Sequence, residues 1–504
     1  MMKKWISLLL VLTLAVSLLC PTVLAAEENA PFTPERAAGL LSSIGVFRGT
    51  GSGFDLDRAP TRLEAAVMLV RMNGAESDAQ TQFAQNTVHH PFGDVPAWGA
   101  AYVAWLYENG MTHGMSAQRF GADLSCRAKD YAVFLLRAMG YVDDEDFTYA
   151  EAEAYAASLG FYLPELFGGT FTRGDLAVMT WFALFAPCKE GGTLLEQLVD
   201  AGAVDRDGAG ALETAYAENG LALCAEGLLV DPDVWSKVEE NLTVTVHVAS
   251  NSPKLSGGTL TLDRQTWESL TEPGGGNILI PVSGLRQLAA DWDNTYGVRS
   301  GPFLFDSYIK GWTEISFLTC DYKFDADAVV KSLLYCLLSL EPGAVDAPLA
   351  CYRSGKPFSL GNTYAEVDID NQKVTFFKNG KLMVSTDVVT GQPNGHQTPT
   401  GLYYSHNKQT NCTLVGDDYR VFVQYWISIV GNAIGFHDAS WRSAFGKEYY
   451  VNGGSHGCIN TPTGPMITMF NNMDDGTPVL IHGRNQWYNV NDPAASPVTK
   501  NPAH

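Results

Sequence analysis

The sequence predicts a multidomain protein with an all-α N-terminal part, a small α/β module in the middle and a mainly-β C-terminal domain. Three observations predict it. Apolar residues recur at helical spacing from about 30 to 190, strict alternation first appears at 242–248, and from Tyr364 onward short alternating runs are separated by turn signals. At 504 residues the chain also exceeds what one hydrophobic core organises.

The composition, 46% hydrophobic and 17% charged, is that of a folded protein. A formal net charge of -22 repels nucleic-acid phosphates and anionic lipid, so neither is expected as a partner. At the N-terminus Lys3 and Lys4 precede the apolar run 5–19, and Val23-Leu24-Ala25 offers a small-residue cleavage site. This three-part layout reads as a secretory signal peptide over 1–25, too short for a comfortable membrane span. Cys20 follows Leu18-Leu19 rather than the small residue of a lipoprotein site, so export and cleavage are expected. Eight further cysteines (126, 188, 224, 320, 336, 351, 412 and 458) are scattered singly, which is neither a zinc-ribbon spacing nor a dense disulfide framework.

Within 30–190, Thr61-Arg62-Leu63-Glu64 opens a helix whose Leu63, Ala66, Val67 and Val70 share one face. Thr172-Arg173-Gly174-Asp175 opens a similar one, and Cys126-Arg127-Ala128-Lys129-Asp130 precedes a third with Tyr131, Phe134, Leu135 and Ala138. Phe92-Gly93-Asp94-Val95 leads into the stripe Trp98, Tyr102, Trp105 and Leu106. Threonine as N-cap and an acid in the first turn suit a helix start. These residues resemble S-layer homology repeats, with an Asp-Val start, a helix, a Gly-rich turn and a Thr-Arg-x-Glu second helix, in two or three drifted copies. The resemblance implies docking on anionic cell-wall polysaccharide, with Arg62 and Arg173 at the sugar-holding position and Arg127 offset by one. The alternative is that these arginines only cap or solvate helices.

Residues 191–240 read as a helical linker or third-repeat remainder, with helices around 194–198 and 212–223. Asp205-Arg206-Asp207-Gly208 lacks the later acids of a calcium loop and reads as a turn. The 241–350 module has its strand at 242–248, helical character at 288–293 and, after Gly311-Trp312, an apolar helix over 325–340. It resembles the module that precedes the catalytic domain in some L,D-transpeptidases and is thought to contact peptidoglycan.

In the C-terminal domain, runs 365–369 and 373–377 form a hairpin pattern and Asn379-Gly380 is a strong turn dipeptide. Thr398-Pro399-Thr400-Gly401 reads as a tight turn, 421–427 alternates as a strand, and a last strand lies at 479–481. Two clusters carry chemistry: Ile434-Gly435-Phe436-His437-Asp438 and, seventeen residues later, Ser455-His456-Gly457-Cys458-Ile459-Asn460. A thiol becomes a strong nucleophile when a base or positive potential raises its thiolate fraction, and either His437 or His456 can be that base. A helix predicted near Pro465 would place Cys458 just before a helix N-terminus, where the dipole favours thiolate. Gly453, Gly454 and Gly457 let backbone N–H groups approach, as an oxyanion hole requires. The residues alone also admit a structural cysteine, or a zinc site on His437, Asp438, His456 and Cys458, although no helical His pair accompanies them.

The two clusters and their spacing resemble the L,D-transpeptidase catalytic domain over about 363–483, leaving a tail at 484–504. The resemblance implies Cys458 as nucleophile, His437 as general base, and Asp438 orienting His437 through its backbone carbonyl. It further implies His456, Gly457 and Cys458 as oxyanion N–H donors, with Ser455 and Asn460 at the substrate; many relatives carry arginine at the Asn460 position. The implied reaction forms a thioester with the third residue of a peptidoglycan stem tetrapeptide, releases D-alanine and transfers the acyl group to an amine. Water or a protein amine as acceptor, and a non-catalytic wall-binding protein, are the alternatives. No metal or organic cofactor is expected; the partners expected are stem peptides and wall polysaccharide, and the location is extracellular at the wall.

Overall fold

The computed structural model describes residues 31–49, 53–250, 252–393, 395–416 and 418–483. The expected signal peptide and the tail at 484–504 lie outside them. Among the described residues no helix is long and apolar enough to cross a membrane. The chain divides into two compact units, the first built from residues up to 248 with 258–295 and 325–347, the second from 249–257, 296–324 and 348 onward. Residues 241–350, expected as one module, contribute to both.

The first unit is mostly helical, and several of its helices begin where the sequence supplies a side-chain cap. Thr61 and Thr172 close capping boxes on Glu64 and Asp175, starting helices Arg62–Met72 and Arg173–Leu184. The copy at Ala128–Ala138 starts at Arg127 without a side-chain cap. Asp205, expected in a turn, instead caps helix Arg206–Asn219 through the Gly208 N–H at 2.6 Å. That helix does not run to 223 as the sequence pattern predicts. Gly220 adopts φ 62°, ends it, and Leu221–Cys224 becomes a strand paired with Gly227–Val230. Asp175 is buried and accepts from Lys331 Nζ at 2.7 Å and from the Tyr335 hydroxyl, both on helix Ala326–Ser339.

In the second unit, strands Val298–Ser307 and Gly311–Phe324 form an antiparallel pair that precedes the β domain in sequence. The domain's own strands are β1 Tyr364–Asp368, β2 Lys373–Lys378, β3 Lys381–Asp387, β4 Gly401–Tyr404, β5 His406–Val415, β6 Arg420–Val430, β7 Ile434–Asp438, β8 Ile459–Thr461 and β9 Pro478–His482. Its helices are α1 Tyr449–Gly453 and α2 Thr463–Asn472. Asn379 and Gly380, both at positive φ (51° and 76°), turn β2 into β3. One sheet has the order β3-β2-β1-β9-β4 and the other β5-β6-β7-β8. Between them lies a core that includes Val367, Phe376, Ile427, Phe436 and Ile481, with Met466, Met469 and Met473 of the α2 region fully buried in it. Burial of each such side chain contributes about 1.5–3 kcal/mol.

At the end of β1 and β9, Glu366, Asp368 and His482 are buried with ligand-type atoms within 4.8 Å of one another. Their charges are compensated from protein groups: His482 Nε2 lies 2.9 Å from Glu366, and Lys310 Nζ lies 3.1 Å from Asp368. Buried carboxylates persist only when paired in this way.

Candidate active site

The chemistry-bearing residues converge because β7 and β8 run parallel and adjacent. Phe436, His437 and Asp438 pair in register with Ile459, Asn460 and Thr461. His437, Ser455, His456, Cys458 and Asn460 all line one cavity of about 180 Å³, together with Tyr419, Trp441, Arg442 and others.

His437 is buried, its ring stacked between Trp426 and Trp441 at centroid distances of 6.1 and 5.9 Å. Nδ1 lies 2.9 Å from the backbone carbonyl of Asp438. A carbonyl only accepts, so Nδ1 carries the proton and Nε2 presents its lone pair. Burial holds the imidazole below its usual pKa, partly opposed by the Asp438 carbonyl, and so keeps the ring neutral. The Asp438 carboxylate does not reach the ring's role; it accepts the Tyr425 N–H at 2.7 Å and fixes β7 on β6.

Cys458 is 5% exposed, packs against Val423 and Trp426, and donates weakly to the Ala433 carbonyl at 3.7 Å. Burial pushes its thiol up to about 11, only partly offset by the Gly435 N–H. This corrects the helix-dipole expectation. Cys458 leads into β8, and α2 starts at Thr463, so a strand separates the thiol from the helix terminus. The dipole decays within the first turn and does not reach it. The resting pair is therefore a neutral thiol and a neutral imidazole.

The loop around the cysteine is held from below. Ser455 donates to the Cys458 carbonyl at 2.6 Å and accepts the Gly457 N–H at 3.1 Å. The Gly457 N–H, expected at the oxyanion, is thus engaged by Ser455 here, because φ of +110° turns that peptide toward its own loop. The Gly457 carbonyl accepts from Thr398 Oγ1 at 2.7 Å, and Thr398 Oγ1 in turn accepts the Gly391 N–H at 2.9 Å. Thr398-Pro399-Thr400, expected as a tight turn, is non-turn backbone that supports this loop. The His456 ring faces outward: Nε2 is 3.1 Å from Asp418, and the rings of His396 and Tyr419 lie 4.2 and 4.6 Å away. With the Asp438 carboxylate on Tyr425 and the His456 ring on Asp418, the donors of the zinc alternative point apart.

Asn460 connects His437 to a residue the sequence reading missed. The Asn460 amide is assigned with its oxygen toward the guanidinium, which can only donate: the oxygen then accepts from Arg442 Nε at 2.8 Å and Nη2 at 3.1 Å, and the amide nitrogen lies 2.9 Å from His437 Nε2. Arg442 also donates to the Gly453 carbonyl. The signal available in sequence was Trp441-Arg442, four and five residues after His437, between the two motif clusters.

The arginines of the N-terminal region belong to the first unit. Arg62 is sandwiched over Phe120 and Phe134 at 5.2 and 4.8 Å, with a buried Nε that has no partner among the described residues. Arg173 is buried, donates to the carbonyls of Phe54 at 3.0 Å and Arg48 at 3.1 Å, and covers Phe47. It borders a cleft of about 270 Å³ that Arg48, Arg71, Glu64 and Trp98 also line and Arg62 does not. Arg173 thus spends two donors internally, contrary to a free sugar-holding guanidinium. Arg127 is exposed and pairs with Asp130 at 2.9 Å.

Residues 362–481 match the YkuD family, described as the L,D-transpeptidase catalytic domain. The β domain is an L,D-transpeptidase catalytic domain. The chain is similar to solved Enterococcus faecium L,D-transpeptidase structures. One, of a cysteine-to-serine mutant, is 26% identical and covers 49% of this chain and 97% of that one, with a TM-score of 0.30. Another, the E. faecium catalytic domain acylated by ertapenem, is 41% identical and covers 24% of this chain and 97% of that one, with a TM-score of 0.22. Among curated proteins, a "Cell surface protein" of Thermoanaerobacter kivui is 28% identical over 165 residues, 32% of this chain and 21% of its own length. A "Middle cell wall protein" of Brevibacillus brevis is 28% identical over 150 residues, 28% of this chain and 14% of its own length. The chain therefore spans about a fifth or less of the curated relatives it matches.

Proposed function

We propose that this protein is an exported peptidoglycan L,D-transpeptidase of the cell envelope that acts through a Cys458 thioester. The observation that carries the reading is one cavity lined by Cys458, His437 and Asn460, with the His437 proton fixed on Nδ1 by the Asp438 carbonyl. In the first half-reaction Sγ of Cys458 attacks the carbonyl carbon of the third residue of a stem tetrapeptide while its proton passes to His437 Nε2, displacing the Asn460 N–H from that lone pair. The backbone N–H groups of His456 and Cys458 stabilise the oxyanion. The amide C–N bond breaks, His437 returns the proton to the leaving nitrogen, and D-alanine departs. An acceptor amine then attacks the thioester, loses its proton to His437 and releases the thiolate, which is reprotonated. Splitting one exchange into two steps is the benefit of covalent catalysis.

The names of the cell-surface and cell-wall relatives support an envelope location, and the capped helices of the first unit support drifted S-layer-homology-like repeats. We assign those repeats to wall polysaccharide, with the cleft beside Arg173 as the candidate surface.

The test is incubation of the full chain with disaccharide-tetrapeptide followed by mass spectrometry. A cross-linked dimer lacking one D-alanine, absent with Cys458→Ala, is the expected result. Free tripeptide alone would make water the acceptor, and D-alanine release by Cys458→Ala would refute the cysteine mechanism.

A further inference from the structure

We propose that Arg442 is a positioning residue that sets the tautomer of His437 through the side chain of Asn460. The proposal rests on the reading of Cys458 as nucleophile and His437 as its base. Its warrant is a chain of groups whose hydrogen-bonding roles leave little freedom. A guanidinium only donates, so the Asn460 oxygen must face Arg442 Nε and Nη2, at 2.8 and 3.1 Å. The amide nitrogen is then turned toward His437 Nε2 at 2.9 Å, and because it donates, Nε2 must be unprotonated. At the other side of the ring the Asp438 carbonyl, which only accepts, requires the proton on Nδ1. Both ends of the chain specify the same neutral tautomer, and the Asn460 N–H keeps the Nε2 lone pair occupied until it gives way to the proton of Cys458.

Arg442 is itself anchored. Its backbone N–H donates to the Ala439 carbonyl at 3.0 Å, and its guanidinium also donates to the Gly453 carbonyl at the end of α1. The Asn460 backbone is fixed on both sides by Val389, at 2.9 and 3.0 Å, so only its amide can rotate. Without Arg442 that amide is free to turn its oxygen toward Nε2, which favours a proton there. The ring then becomes either imidazolium or the tautomer whose Nδ1 lone pair faces the Asp438 carbonyl. Neither can accept the Cys458 proton. Arg442 also lines the cavity, so a competing role is direct contact with a substrate carboxylate, which would act on binding rather than on proton transfer.

The experiment compares full-length wild type with Arg442→Ala, Arg442→Lys and Asn460→Asp, using proteins labelled with ¹⁵N-histidine and assigning the signal with His437→Gln. Ring nitrogen shifts are read in the free protein, and kcat and KM for D-alanine release are read with disaccharide-tetrapeptide. Wild type should show a proton on Nδ1 alone. Arg442→Ala should protonate Nε2 and lower kcat by about 10²-fold with KM changed less than about threefold. Arg442→Lys, whose ammonium also only donates, should restore the wild-type tautomer and most of kcat. Asn460→Asp, which cannot donate, should protonate Nε2 with Arg442 intact. An unchanged tautomer in Arg442→Ala, or a raised KM with unchanged kcat, would overturn the proposal. Should Arg442→Ala fail to fold, the Lys and Asn460→Asp comparison decides. Wild type that releases no D-alanine would sink the transpeptidase reading, while the tautomer comparison would still decide this one.

Discussion

His437 and Asn460 are register partners across the parallel β7–β8 pair, and their side chains meet at 2.9 Å on the lone-pair nitrogen of the imidazole. Parallel pairing of two short strands thus brings the imidazole of one motif onto the last residue of the other. Removing the amide while leaving the strands intact should loosen the ring without unfolding the domain. Asn460→Ala is expected to lower the acylation rate of Cys458 by a carbapenem roughly tenfold, with an unchanged melting temperature. A wild-type rate in that variant would mean the Asn460 contact is incidental.

The thiol offers a second measurement. Because burial raises Cys458 to about 11, the native protein holds its proton through the range in which an exposed thiol ionises. The thiolate fraction rises about tenfold per pH unit below the pKa, so iodoacetamide labelling of the Cys458 peptide should still be climbing at about pH 10. An exposed thiol, half ionised at about pH 8.5, would level off by about pH 9.5. A plateau for Cys458 at or below about pH 8 would show that a positive potential lowers its pKa after all.

Thr398 supports the cysteine loop without entering the cavity. Its hydroxyl accepts the Gly391 N–H and donates to the Gly457 carbonyl, and it is buried. Thr398→Val keeps the volume but leaves two buried backbone groups short of a partner, at a cost of about 1–3 kcal/mol. Urea unfolding of the catalytic domain's transition should register that loss, together with slower acylation. Thr398→Ser should recover both.

Arg173 permits a direct comparison between structural and ligand-binding roles. Its guanidinium satisfies the Phe54 and Arg48 carbonyls, so Arg173→Leu should destabilise the first unit by about 2–4 kcal/mol. Thermal unfolding monitors this, and a cell-wall polysaccharide pull-down monitors binding. Retained stability with lost binding would return Arg173 to the sugar-holding role.

Much of this organisation is written locally. Thr61 with Glu64 and Thr172 with Asp175 are capping signals that act within four residues, and the helices begin where they stand. Asn379-Gly380 fixes its hairpin for the same reason. The clusters at 434–438 and 455–460 were visible through motif and spacing. What was not visible depends on chain segments folding back from a distance. Arg442 reaches Asn460 only because the 439–453 segment returns over the cavity, and Thr398 meets Gly457 from 59 positions away. The activation of Cys458 by a helix was misread because a three-residue strand, too short to leave a periodic signal, intervenes. Gly220 stopped a helix whose apolar pattern continued unbroken into a strand.

The parallel pairing of β1 with β9 has a consequence for how the protein comes to act. Ala365 lies beside Val479 and Asp368 beside His482, so the domain's last-made strand sits inside its sheet, between β1 and β4, rather than at an edge. During synthesis or passage through a narrow exit, a nascent chain that has emerged only as far as Cys458 lacks the strand that joins β4 to the rest of that sheet. Cys458 is made before its housing can close. On the proposed function, acyl transfer would wait until the polypeptide has passed His482, and a chain stalled or clipped before that point would carry the whole motif without a working site.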